Sequence, residues 1–365
     1  MKMSYRPGQA GLAEGVAFAF IATVPRIFLT TPAITTGQSG ELSWAVPLIN
    51  GVCSMIMFFL ILYVAERVPG DLLAVCRQLL GNPFAWLTGL FYIALFWGNS
   101  ILLLRQYTEN TLVTALPYVD FHIVIAWYSF VIGFFIFTGH STIIRVSYLV
   151  LPWLLASILA VFALLASKYN VYNLIPWQGN GLINGLKLGI MVAGYDISVF
   201  ALIIMAPSFQ NHRTVRAAGI YGLSLSVMLK TLITLVYLLV FGTEVGMEKT
   251  LPFFEMSRLI YISRFVQHVE ALLIALWVVT GLLAITANLY VVVYLMSRLL
   301  NLPAIRPIAP LITVITACLA MLPKNFDDVV VLDGSFNLVS GAGLYFIPVI
   351  LTLTTLLKLR KKQCG

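Results

Sequence analysis

KLGIMVAGYDISVFALIIMAP, residues 187–207, is apolar and long enough to cross a bilayer, yet it carries Gly194, Tyr195 and Asp196 near its middle. A carboxylate at bilayer depth costs about 2.5–3.5 kcal/mol on insertion scales, so such an acid usually faces a protein interior or a water-filled cavity. Unwound backbone at that depth is tolerated under the same condition. The stretch therefore predicts a membrane helix that is interrupted at Gly194–Asp196 and faces a binding cavity.

The composition is that of a polytopic membrane protein. Of the 365 residues, 60% are hydrophobic and only 10% are charged, and the mean hydropathy is +0.96, more apolar surface than one water-soluble core can hide. The formal net charge of +8 comes mostly from basic residues in short connections between apolar runs. The lipid bilayer is thus the expected surrounding, and no nucleic acid partner is predicted.

Ten apolar spans can be recognised between polar or Pro/Gly-containing breaks. They lie at about 10–36, 42–65, 84–115, 119–139, 146–167, 184–207, 216–241, 264–297, 305–323 and 338–358. An even number of spans puts both termini on one side. Thirteen Lys and Arg residues fall on that side and six on the other, which predicts cytoplasmic N- and C-termini. The first span is followed by no small-residue cleavage site, so we expect it to be retained.

Three basic residues lie inside or at the edge of apolar spans, namely Arg26, Arg105 and Lys230. Intramembrane cations are functional candidates by default. Arg105 and Glu109 are four residues apart and can pair on one helix face; this pair is either a partly solvated ion pair near the exterior mouth or an entrance gate. Lys230 lies midway along its span, where its amine cannot easily reach the interface, and the sequence names no partner for it. We place all four in a gating or charge network.

The first span is interrupted in the same relative position as the sixth. Pro25 lies in its interior, where it removes a backbone hydrogen bond and clashes with the preceding turn. Two matched interruptions, one at the start of each set of five spans, indicate an inverted-repeat transporter fold. We therefore predict an all-α membrane protein of ten transmembrane helices in a single domain, with a first repeat at about 10–167 and a second at about 184–358.

The candidate ligand site lies between these two interruptions, near the bilayer midplane. Half-helix ends and unwound backbone would supply its polar groups. The predicted ligand-binding residues are Thr23, Val24, Pro25, Gly194, Tyr195 and Asp196, with Trp97, Asn99 and Thr280 completing the wall.

Outside the spans, residues 250–262 are too polar to cross the membrane and too rich in aromatic residues to be a flexible linker. We expect an exterior interfacial helix there that acts as a cover or lid, with a docking surface for another subunit as the alternative. The scattered cysteines predict neither a disulfide nor a metal site. No phosphate loop, nucleophile elbow or metal-ligand cluster is present, so neither an enzyme nor a cofactor is predicted.

Several motifs resemble the B subunit of the spore germinant receptors, the endospore germination permease family of the amino acid–polyamine–organocation superfamily. The most specific is Pro252-x-x-Glu-x-x-Arg258 followed by FVQHVE at 265–270 and by Trp277. Others are Pro25 with the small and polar residues through Gly37 ahead of Trp44, Arg105 with Glu109 before Leu116-Pro117, and the Gly-Tyr-Asp196 break leading to Met205-Ala-Pro207. The resemblance covers essentially the whole chain. The chain departs from the family at Gln267–Glu270, where Glu-Arg-Ile-Glu or Glu-Arg-Ile-Asp is more common, and at Asp196, where Glu is common.

The resemblance implies a LeuT-like fold and a nutrient sensor of the spore inner membrane. Such a protein binds a small germinant, commonly an amino acid, and works with the A and C subunits of the receptor. The carboxylate of a zwitterion would meet the half-helix amides, and its ammonium would face carbonyls and Asp196. Two alternatives stay open: a proton- or cation-coupled amino acid or polyamine permease, which the absence of a lysine in the fifth span argues against, and a germinant-gated ion channel.

Overall fold

The computed structural model describes residues 9–68, 70–261 and 270–363. The part of the FVQHVE motif that precedes Glu270 lies outside these residues. Within them, eight helices are long and apolar enough to cross a membrane, and two shorter apolar helices complete the ten predicted spans.

The first five spans are built from seven helices. The first span is α1 (Leu12–Thr23) and α2 (Thr31–Ser39), separated by a 3₁₀ segment at Pro25–Phe28 that we call the first break. The other helices of this half are α3 (Val46–Arg67), α4 (Leu72–Leu80), α5 (Asn82–Thr114), α6 (Phe121–Thr138) and α7 (His140–Leu165). The short α4 is amphipathic and connects the second and third spans; it was not predicted.

The second five spans repeat the pattern. The sixth span is α8 (Leu182–Val192) and α9 (Ala201–Ile204), separated by a 3₁₀ segment at Ala193–Phe200 that we call the second break. The rest of this half is α10 (His212–Gly246), α11 (Pro252–Arg258), α12 (Glu270–Leu299), α13 (Ile308–Ala320) and α14 (Phe326–Gln363). The predicted exterior helix forms as α11, and its Phe253 ring packs 5.3 Å from Phe28 of the first break.

The described spans pack into one bundle. The largest helix contacts join α5 to α12, α1 to α10, and α14 to the second break. By contrast, α6 and α7 turn many large apolar side chains outward, as lipid-facing helices do, including Trp127, Phe130, Phe134 and Trp153. Both breaks are therefore central, and the outer helices shield them from lipid.

Each broken helix is tied to the other at both ends. At the face that carries both ends of the described chain, here the proximal face, the amide of Ala10 donates to the carbonyl of Ser208 over 3.1 Å. At the opposite, distal face, the amide of Asn180 donates to the carbonyl of Ser39, also over 3.1 Å. In each bond the amide lies just before the start of one broken span, and the carbonyl lies at the end of the other broken span. The two bonds are therefore equivalent positions of an inverted repeat.

Candidate functional site

The first break begins where Pro25 interrupts the helical hydrogen bonds. Beyond the 3₁₀ turn the chain becomes extended at Leu29, with φ −94° and ψ −158°. The carbonyl of Pro25 accepts a hydrogen bond from the Tyr107 hydroxyl over 3.0 Å. A backbone oxygen released by the break is thus satisfied by α5, which holds the unwound turn in place.

Arg26, the next residue, is the buried cation of the first break. Its Nη1 contacts both carboxylate oxygens of Asp333, at 2.8 and 2.7 Å, and its Nη2 donates to Asn99 Oδ1 over 2.6 Å. The guanidinium carbon also lies 4.3 Å from the centre of the Tyr195 ring. Arg26 therefore joins the first break to α14, to α5 and to the second break.

Asp196 is the buried anion of the second break. Its backbone leaves helical geometry at φ −93° and ψ 18°. Its Oδ1 lies 2.6 Å from Nζ of Lys230 on α10, and each side chain is only 7% exposed. The partner that the sequence could not assign to Lys230 is thus the carboxylate of the break itself.

A chain of neutral polar groups connects the two breaks. Asn99 accepts from Arg26 and donates through Nδ2 to Ser198 Oγ over 3.2 Å. Ser198 in turn donates to Asn288 Oδ1 of α12 over 2.8 Å. Because these amide and hydroxyl groups both donate and accept, displacement of a side chain at one break alters the hydrogen bonds at the other.

A small cavity lies against both breaks, with charged and polar residues among its lining. It is lined by Arg26, Tyr195, Asp196 and Lys230, and by further residues of α2, α3 and α10 that include Thr31, Thr35, Asn50 and Thr234. Its volume is about 30 Å³, room for one or two water molecules. In this structure the cavity is too small for an amino acid, and both charged residues of the breaks in its wall are engaged in internal ion pairs.

Two predicted wall residues face elsewhere. Trp97 donates its indole N–H to Thr316 of α13 over 2.9 Å, and Thr280 donates to the carbonyl of Trp277 one turn back, over 2.8 Å. Neither lines the cavity. In contrast, Asn99 lies within the polar chain, as expected of a residue close to the breaks.

The remaining predicted residues of the breaks have supporting positions. Thr23 Oγ1 bonds to the carbonyl of Ala19 and to Ser226 Oγ on α10, both at 2.9 Å. Val24 is buried. Gly194 packs against α14 so closely that an added Cβ would meet the carbonyl oxygen of Asn337 at 2.0 Å. These residues shape the breaks but do not line the cavity, whose wall includes their charged neighbours Arg26 and Asp196.

Arg105 and Glu109 form the predicted pair, with Nη2 and Oε1 2.5 Å apart. Arg105 also reaches the carbonyl of Ala320 at 3.4 Å and stacks 4.4 Å from the Phe121 ring centre. These partners belong to α13 and α6, toward the distal end of the bundle. The pair is therefore separate from the cavity residues.

Asp333 is the functional candidate that sequence reasoning missed. The predicted tenth span started at about 338, but α14 begins at Phe326 and places this acid inside the helix. The signal was the apolar run Val329–Leu332 directly ahead of it. An acid that follows such a run is another intramembrane charge in need of a partner.

The chain was compared with protein families and solved structures. The sequence model of a family described as "Spore germination protein" matches residues 16–329. A search of curated proteins found no match.

Two solved transporters share the fold. A Na⁺-coupled sialic acid symporter in a substrate-bound outward-open state aligns with a TM-score of 0.63 at 12% identity, over 93% of this chain and 79% of that one. MhsT in complex with L-phenylalanine aligns with a TM-score of 0.66 at 14% identity, over 96% of this chain and 99% of that one. At such identities the likeness concerns the architecture, which is the predicted LeuT-like fold with broken first and sixth spans. Since the family match extends over most of these helices, the chain belongs to the spore germination protein family and is a transporter-like membrane protein.

Proposed function

We propose that this protein is the germinant-sensing subunit of a spore germination receptor and that it binds a small nutrient, such as an amino acid, between the two breaks. The observation that carries the proposal is the pair of opposite charges on one cavity: Arg26 from the first break and Asp196 from the second. An amino acid carries one group complementary to each. The half-helix ends around the same cavity add further polar groups for its carboxylate and ammonium.

The family membership supports a role in germination, and the transporter fold supports binding of a small solute in the middle of the membrane. In this proposal the protein lies in the spore inner membrane with both termini in the cytoplasm, so the distal face is exterior. The A and C subunits of the receptor would respond when the ligand favours one arrangement of the two half-repeats over the other.

The first experiment replaces Asp196→Asn and measures nutrient-triggered germination of spores. We expect loss of the response with unchanged membrane insertion, because the anionic partner for the ligand ammonium is removed. Asp120→Asn is the matched control, since it makes the same chemical change at an exposed residue ahead of α6. A normal response of the Asp196→Asn spores would contradict the site.

A second candidate function is a cation-coupled amino acid or polyamine permease. One observation favours it: Lys230 and Asp196 form a buried ion pair at membrane depth, and paired charges there mark ion and proton pathways. Uphill accumulation of a labelled amino acid in proteoliposomes, abolished by collapse of the ion gradient, would support the permease over the sensor.

A further inference from the structure

The two breaks neutralise their charges in the same way. Arg26 of the first break pairs with Asp333 on α14, and Asp196 of the second break pairs with Lys230 on α10. All four side chains are at most 10% exposed. Each break is therefore latched to a neighbouring helix by one buried ion pair, and the set of four charges is neutral.

The two break charges also meet at one cavity. Arg26 stacks on the ring of Tyr195, the residue directly before Asp196, and both charged side chains line the same small cavity. A ligand that contacts both must carry its own opposite charges a short distance apart. An α-amino acid does so, with its carboxylate and its ammonium on one carbon.

The internal partners offer the same chemical groups as such a ligand. Asp333 presents a carboxylate to Arg26, and Lys230 presents an ammonium to Asp196. The cavity has room for only one or two waters, so an amino acid does not fit beside the Asp333 carboxylate and the Lys230 ammonium. To bind, it has to replace them.

We propose that an α-amino acid displaces both latches: its carboxylate replaces Asp333 at Arg26, and its ammonium replaces Lys230 at Asp196. This inference rests on the proposed function and adds how binding is converted into a signal. Asp333 and Lys230 then lose their oppositely charged partners, which is unfavourable for buried charges unless α14 and α10 move or admit water. Binding energy thereby shifts α14 and α10 relative to the breaks.

Displacement predicts opposite effects for the two members of each pair. Arg26→Gln and Asp196→Asn remove groups that hold the ligand, so the half-maximal ligand concentration should rise or the response should vanish. Asp333→Asn and Lys230→Gln remove the internal groups that compete with the ligand, so the half-maximal ligand concentration should fall. We expect a fall of about tenfold if the ion pairs must break before the ligand binds.

The test uses the full-length protein with glycine, alanine and valine as probes. With the purified protein it measures the rise in unfolding temperature caused by each probe. In spores it measures the probe concentration that gives half-maximal germination. Two analogue classes separate the latches. The α-hydroxy acids keep only the carboxylate and should gain from Asp333→Asn but not from Lys230→Gln. The α-amino amides keep only the ammonium and should gain from Lys230→Gln but not from Asp333→Asn.

Asp333→Glu keeps the charge and serves as the folding control for its site. The double variant Asp333→Asn/Lys230→Gln retains a neutral set of charges and covers the case in which a single variant fails to insert. Inserted Asp333→Asn and Lys230→Gln variants with unchanged or weakened responses would overturn displacement while leaving the proposed function standing, provided that the wild type responds and the Asp196 variant does not. A wild type that is neither stabilised nor triggered by any probe would overturn displacement and, with it, a small amino acid as the nutrient of the proposed function.

Discussion

Gly194 lies directly against the backbone of Asn337, so that a Cβ at position 194 would come within 2.0 Å of the Asn337 carbonyl oxygen and 2.6 Å of the Gly341 amide. The same asparagine donates through Nδ2 to the carbonyl of Met191, two residues ahead of the second break. The second break and α14 therefore touch backbone to backbone, and the one side chain at this contact, Asn337, is held by its own hydrogen bond.

Gly194→Ala should separate the second break from α14. Overpacking in a tight interior typically costs about 1–3 kcal/mol, and a clash with backbone atoms belongs at the upper end of that range. We expect a lower thermal unfolding temperature of the purified protein and a weakened nutrient response. Gly334→Ala on the same helix is the matched control, because a Cβ there meets nothing within 4 Å. Equal unfolding temperatures for the two variants would show that the close contact is unimportant.

The Lys230–Asp196 pair should be strongly coupled in a double-mutant cycle. Removal of one partner from a buried ion pair leaves an uncompensated charge and costs about 3–5 kcal/mol, whereas removal of both costs much less. Lys230→Met and Asp196→Asn should each lower the free energy of unfolding, and the double variant should recover a large part of the loss.

The exposed Arg258–Glu255 pair, with its closest atoms 3.8 Å apart, provides the comparison for that cycle. Surface pairs are worth about 0–1 kcal/mol, so its coupling energy should be far smaller. Additive effects at Lys230 and Asp196 would contradict the pairing.

The positions of both breaks could be predicted from sequence because their signals are local. Pro25 cannot donate the hydrogen bond that a helix interior requires, and Gly194 and Asp196 are both poor residues for the middle of an apolar helix. The ten spans and the inverted-repeat fold follow from these breaks together with the hydropathy pattern, the family resemblance implies the LeuT-like form of that fold, and the structure and the comparisons confirm them.

The partners of the buried charges could not be predicted in the same way. Which carboxylate meets Lys230 or Arg26 depends on how distant helices are arranged, and Asp333 was placed outside its span by hydropathy alone. The sequence also does not show which of Trp97 and Asn99 lies on the face of α5 that points to the breaks. Residues two apart on a helix point about 200° apart, so only one of the two could face the breaks, and the sequence does not say which.

This difference of face gives a prediction about α5. Asn99→Ala should break the chain from Arg26 to Ser198 and leave buried polar groups unsatisfied, at about 1–3 kcal/mol for each group. We expect a raised half-maximal nutrient concentration together with a lower unfolding temperature. Trp97→Phe is the comparison variant: it loses one hydrogen bond to Thr316, worth about 1 kcal/mol, and should leave the half-maximal concentration unchanged. A larger effect on nutrient response at Trp97 than at Asn99 would restore Trp97 to the binding wall.

The closed distal face can be opened by one added methyl group. Gly179 has φ +49°, and a Cβ there would lie 2.2 Å from the carbonyl oxygen of Ser39, the same oxygen that accepts from the Asn180 amide. Gly179→Ala should therefore push the ends of α2 and α8 apart. Gly181→Ala is a sharp control, because Gly181 also has a positive φ, of +105°, but open space around its Cβ position.

Accessibility of the cavity reports the opening. With the native cysteines replaced, Thr35→Cys places a thiol in the wall of the cavity on the distal half of the first span. Labelling by a membrane-impermeant maleimide should be faster with Gly179→Ala than with Gly181→Ala, because only the former breaks the Ser39–Asn180 contact. Strain alone would accelerate labelling at least as much in Gly181→Ala, because its φ of +105° is less accessible to alanine than the +49° of Gly179. In that case the contact between the two broken helices is not what closes this face.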